Sequence, residues 1–144
     1  MKRIVLLSIA LALTFACSPQ PETLSGTKAV QIIISDPTAG PLQVKADPDP
    51  ATIVRGEAVK WEIVYEAGPP LDSVVIDGFK DERGATDPFG NGSKFTFGYM
   101  DPGPNEPTQS SGPPVKGGNF KYNITVTVSG GKPVLFDPRL IVNY

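Results

Sequence analysis

The segment EAVKWEIVY, residues 57–65, alternates almost completely: Val59, Trp61, Ile63 and Tyr65 share one side, and Ala58, Lys60 and Glu62 take the other. Successive side chains of a strand point to opposite faces. The segment therefore reads as a strand with one face in a core and one in water. KYNITVTVS, residues 121–129, repeats the pattern: Tyr122, Ile124, Val126 and Val128 oppose Lys121, Asn123, Thr125, Thr127 and Ser129. Working outward, VQIII (30–34) is an uninterrupted apolar run, which predicts a strand buried on both faces or a covered edge strand. Leu42, Val44 and Ala46 alternate with Gln43 and Lys45. Shorter strands are predicted over 73–76, 94–99, 134–136 and 140–142.

The punctuation between these runs agrees. The chain holds 15 glycines and 16 prolines in 144 residues, which helix interiors do not tolerate. Asp-Pro occurs six times, beginning at Asp36, Asp47, Asp49, Asp87, Asp101 and Asp137. Asp bonds its own turn through the side chain, and Pro fixes φ and cannot donate to a ladder. Turn chemistry accounts for these acids better than calcium does, because Phe79 interrupts the densest carboxylate stretch, 77–87, where a calcium loop needs alternate oxygens. No stretch beyond residue 17 carries an amphipathic helix pattern. The expected fold is all-β: an antiparallel Greek-key β-sandwich of about seven or eight strands over 28–144. Trp61 is expected to anchor its core.

The first residues carry a different message. Lys2 and Arg3 precede IVLLSIALALTFA (4–16), thirteen residues with only Ser8 and Thr14 polar. A membrane span needs roughly 20 apolar residues, so the run is too short for one. It has the length and flanks of a secretory signal. Ala16 precedes Cys17, the single cysteine of the chain. This junction resembles the lipobox of bacterial lipoproteins, although Thr14 and Phe15 stand where the pattern usually has Leu and a small residue. The resemblance implies cleavage after residue 16, lipidation of Cys17 and an anchor in the bacterial cell envelope. Each buried CH₂ contributes about 0.8 kcal/mol, so two or three acyl chains hold a protein where one does not. Ser18, in place of the Asp that favours inner-membrane retention in the resembled class, points to the outer membrane, with the domain in the periplasm or at the surface. Residues 17–27, the lipidated Cys followed by SPQPETLSGT, read as a tether. Ten such residues have an r.m.s. reach of about 17–19 Å.

LQVKADPDPATIVRGEAVKWEI, residues 42–63, resembles the opening of cupredoxin-like domains: a strand (Leu42–Ala46), a bend at Pro50, a short strand (Thr52–Val54), a Gly56-Glu57 turn and a Val59-x-Trp61 strand. Immunoglobulin-like domains show similar spacing. The cupredoxin resemblance implies a blue-copper site, which takes two imidazoles and a thiolate. This chain has no histidine, and its one cysteine lies ahead of the domain, so the copper does not carry over and no cofactor is expected.

Other chemistry is equally thin. No G-x-S-x-G or histidine base is present for a serine hydrolase, and Ser93 and Lys94, as strand neighbours, point to opposite faces. GNGSK (90–94) is too short for a phosphate loop. Removal of residues 1–16 leaves 11 basic against 15 acidic residues, a formal charge of −4 that argues against nucleic acid. The expectation is a non-enzymatic binding module that presents loops 80–93 and 101–118 to an envelope protein or glycan, held to the membrane through Cys17. Two alternatives stand beside it: an accessory domain of an envelope assembly without a ligand pocket, and a small hydrolase using carboxylates alone. The second loop, with five prolines and four glycines in eighteen residues, reads either as a recognition loop with Phe89, Phe95, Phe97 and Tyr99 nearby as aromatic surface, or as an unstructured connection with Phe95, Phe97 and Tyr99 facing the core at period two.

Overall fold

A computed structural model describes residues 26–36, 40–84, 87–90 and 92–143. The signal segment, Cys17 and nearly all of the tether lie outside the described residues. Those residues form ten strands and no helix: β1 (Thr27–Ser35), β2 (Gln43–Asp47), β3 (Ala51–Val54), β4 (Ala58–Tyr65), β5 (Leu71–Asp81), β6 (Phe95–Phe97), β7 (Thr108–Ser110), β8 (Gly118–Val128), β9 (Val134–Phe136) and β10 (Arg139–Asn143). They make two sheets. One has the order β2-β1-β4-β7, the other β3-β10-β8-β5-β6, with β9 beside β10 along the same edge of β8.

The sheets are not purely antiparallel as the alternation suggests. β1 runs parallel to β4, with Val30 opposite Trp61, and β3 runs parallel to β10, with Ile53 opposite Val142. The cause lies in residues 48–50. Pro48 and Pro50 offer no N–H to a ladder, and there the chain leaves one sheet as β2 and enters the other as β3 without reversing. The Arg55–Glu57 turn then sends β4 back beside β1 in the same direction. Arg139 donates its N–H to the Asp49 carboxylate at 3.0 Å, which fixes the crossing against β10. Pro138 likewise separates β9 from β10 on one edge of β8. The strand number exceeds seven or eight because the chain beyond the proline bend forms β3 in the other sheet, and because β7 lies inside a stretch with no apolar signal.

The core lies between the sheets. Alternate residues of every long strand supply it: Val30, Ile32 and Ile34 from β1; Val59, Trp61 and Ile63 from β4; Phe120, Tyr122, Ile124 and Val126 from β8. Each contributes about 1.5–3 kcal/mol by leaving water. Trp61 is fully buried and packs tilted against Tyr122 and Phe95, with ring centroids 5.2 and 5.8 Å apart. Phe79 stacks on Tyr122 at 5.2 Å. Phe95 and Phe97 face inward as expected, but Tyr99 does not: β6 ends at Phe97, and Tyr99 is 63% exposed, its hydroxyl donating to Asp101 at 2.9 Å.

Phe79 reaches this cluster through a bulge. Asp77 opposes Asn123 and Lys80 opposes Lys121, so β5 carries one residue more than β8 between those pairs. Gly78 takes the extra step at φ +68°, a conformation in which L side chains are disfavoured. The bulge inverts the parity of the strand. Val74 and Ile76 point inward on even numbers, whereas Phe79 points inward and Lys80 outward beyond it.

Candidate functional site

The register sorts the connections into two ends. Ala58 donates its N–H to the Gly26 carbonyl at 3.0 Å, so the chain enters the sandwich beside the start of β4. Loop 82–94, following β5, and segment 111–117, preceding β8, lie at this same end, because Asp81 pairs Phe120 and Ser111 donates its N–H to the Val59 carbonyl. The remainder of the 101–118 stretch does not join them. Met100 pairs Leu71 and Gly103 donates to the Tyr65 carbonyl, which puts 98–107 at the opposite end. Between the two ends runs β7, antiparallel to β4. Loop 80–93 therefore meets only the 111–117 part of the stretch expected to accompany it.

Where these two segments meet, they are fastened. The Val115 N–H donates to the Pro88 carbonyl at 2.6 Å, and Lys116 to the same oxygen at 3.3 Å. Asp87, 4% exposed and held at φ +59°, organises the loop from below. Its carboxylate accepts the N–H groups of Phe89 at 3.0 Å and Ser93 at 2.5 Å, and its own N–H donates to the Phe79 carbonyl. Phe89 sets its edge against Phe79 and Phe95. Asp87 thus does turn chemistry with both carboxylate oxygens. Val115, 59% exposed, stands out from this platform.

A second feature lies on the outer face of the larger sheet, continuous with the loop end. Lys80 on β5 opposes Lys121 on β8, and Lys121 opposes Arg139 on β10. All three side chains are exposed. The row crosses a groove of about 510 Å³ that also has Asn119, Asn123 and the carboxylates of Asp81, Glu82 and Asp137 in its walls. The smaller sheet presents a paired outer surface instead. Lys60 meets Glu62 at 2.9 Å, and this hydrogen bond, followed by one from Gln31, holds the Glu62 carboxyl below its ordinary range.

The row escapes a reading of the sequence because its members are 41 and 18 residues apart, at positions 80, 121 and 139. Only register joins them. Lys121 is legible as outward from the alternation of 121–129, but the Gly78 bulge flips Lys80 to a face that strict alternation from Val74 denies it.

No imidazole or thiol is available in residues 28–144 to fit the copper that the cupredoxin resemblance implies. Among the described residues, no group of three or more His, Cys, Asp or Glu side chains is gathered in a way that could hold a metal ion. Comparisons with family models, with curated proteins and with solved structures gave no match.

Proposed function

We propose that the chain is a lipid-anchored envelope lipoprotein whose β-sandwich is a non-enzymatic binding module, tethered through Cys17 and presenting loop 80–93 together with 111–117 to an envelope protein or glycan. The observation that carries this reading is the fastening of the two segments at Pro88 over the buried Asp87. The part of the loop held there, 87–90, is ordered before it meets a partner and does not lose that freedom on binding. Because Gly26 enters at the same end, the tether keeps the loops within about 20 Å r.m.s. of the anchor. The partner surface is then one that lies close to the bilayer, at the outer membrane given Ser18.

The finer fold is part of the same proposal. The succession β2, proline bend, β3, Gly56-Glu57 turn and β4 with Trp61 buried follows the cupredoxin-like order. Immunoglobulin-like sandwiches are antiparallel throughout, so the parallel β1–β4 and β3–β10 pairs favour a cupredoxin-like Greek key.

Two measurements test the reading. Cys17→Ser moves the protein out of the membrane fraction, while the wild type carries an acyl mass on Cys17. Retention of the variant in the membrane, with no acyl mass on the wild type, refutes the anchor. Envelope cross-linking of the lipidated protein recovers a partner that Val115→Asp loses; equal recovery by both refutes the loop assignment.

A further inference from the structure

Like charges placed directly opposite on neighbouring strands have Cβ atoms about 4.5–5.5 Å apart and destabilise the pair. The chain does this twice in succession, Lys80 to Lys121 and Lys121 to Arg139. Among the described residues none of the three cations has a carboxylate at ion-pairing distance. The smaller sheet shows the contrast, since Lys60 there is matched with Glu62 at 2.9 Å. The row is also built with care for its placement. Without the Gly78 bulge, Lys80 falls on the core face and the row loses one end. Asn123 lies over Gly78 so closely that a Cβ there would stand 2.5 Å from its amide nitrogen.

The rest of the groove narrows the choice of anion. Asn119 and Asn123 each offer donors and an acceptor, and the carboxylates of Asp81, Glu82 and Asp137, as many as the cations, are acceptors in the same walls. A densely charged polyphosphate or nucleic acid has few O–H groups to give those carboxylates and is repelled by them. A chain of sugars bearing separated carboxylates meets both needs, with its acid groups on the cations and its hydroxyls on the amides and the wall carboxylates. The row spans two inter-strand spacings, about 10 Å, a span that three successive acidic sugars cover with one carboxylate for each cation.

We propose that this groove binds an acidic polysaccharide, with the ligand's carboxylates on Lys80, Lys121 and Arg139. The inference deepens the reading of the domain as an envelope binding module by naming its ligand, and it extends the loop platform through Lys80 onto the sheet face. It does not depend on the anchor, whose failure is seen in fractionation and acyl mass.

The test is calorimetric titration of the full chain, purified in detergent, with oligogalacturonate, with a neutral maltooligosaccharide and with polyphosphate, at low and high salt. Saturable binding of oligogalacturonate, weakening as salt rises, with none of the neutral sugar, is expected. The Lys80→Gln/Lys121→Gln/Arg139→Gln variant binds about 3- to 100-fold more weakly, the range for three exposed ion pairs. Lys121→Gln alone keeps the β circular dichroism and melts no lower than the wild type, because it relieves two like-charge contacts. Absence of saturable binding, equal binding of the neutral sugar, tighter binding of polyphosphate, unchanged affinity in the triple variant, or a lower Tm for Lys121→Gln each overturns the proposal.

Discussion

Gly78→Ala tests the bulge that turns Phe79 into the core and Lys80 out of it. At φ +68° an L residue is disfavoured by about 1–2 kcal/mol relative to the right-handed region. The new Cβ also meets the Asn123 amide nitrogen at 2.5 Å. That atom ends a flexible side chain, so it can swing away for about 0.5–1.5 kcal/mol of rotamer strain. Loss of glycine's freedom in the unfolded chain returns about 0.4–1 kcal/mol. The net destabilisation is about 0.5–3 kcal/mol, which for a domain of this size lowers Tm by roughly 2–12 °C. Differential scanning calorimetry of the wild type, Gly78→Ala, Asn123→Ala and the double variant separates the two causes. The double variant should recover the collision part, a coupling of about 0.5–1.5 kcal/mol, and retain the backbone part. A Gly78→Ala protein as stable as the wild type refutes the bulge assignment; strictly additive losses refute the Asn123 contact.

Trp61→Ala, which empties the centre of the aromatic cluster, costs about 3–5 kcal/mol and shows as a large fall in urea midpoint. Tyr122 is fully buried, and among the described residues its hydroxyl has no hydrogen-bond partner, so Tyr122→Phe raises stability by about 1 kcal/mol or more in denaturant unfolding. Burial, with a smaller contribution from Asp49, pushes the Tyr122 hydroxyl above its ordinary value of 10.0. The stability this group gives by staying neutral is complete below about pH 10 and is lost above it, at about 1.4 kcal/mol per pH unit. Tyr122→Phe should flatten alkaline unfolding by that slope. Asp87→Ala removes the acceptor for the Phe89 and Ser93 N–H groups and costs about 1–3 kcal/mol. Hydrogen exchange at residues 89 and 93 should quicken, and Asp87→Asn, which keeps one acceptor oxygen and tolerates positive φ, should restore protection at only one of the two.

Residues 57–65 and 121–129 announced their strands because each is long, crosses the middle of a sheet and has one face in the core. Strand direction was less legible. Alternation states which face is buried, and it is silent on whether a neighbour runs parallel. The parallel pairs follow from two prolines that let β2 become β3 in the other sheet without a turn. β7 was invisible for another reason: Thr108, Gln109 and Ser110 bury no apolar side chain and are held by β4's backbone. Of the candidate site, loop 80–93 was legible from its turn residues, whereas its companion is 111–117 alone. The cation row was hidden by sequence distance and by the parity change at Gly78.

The rims of the two sheets have a bearing on life at high surface density. Each outermost strand is brief: three residues in β6 and β7, four in β3 and five in β2. On one side Gln109 sends its amide across the gap to the Thr96 carbonyl at 2.6 Å, so the neighbouring rims occupy each other. On the other side Pro48 and Pro50 divide what would be a single unbroken ribbon. Were the proposed anchor to crowd copies of the domain on a membrane, each would offer its neighbours little backbone to zip onto.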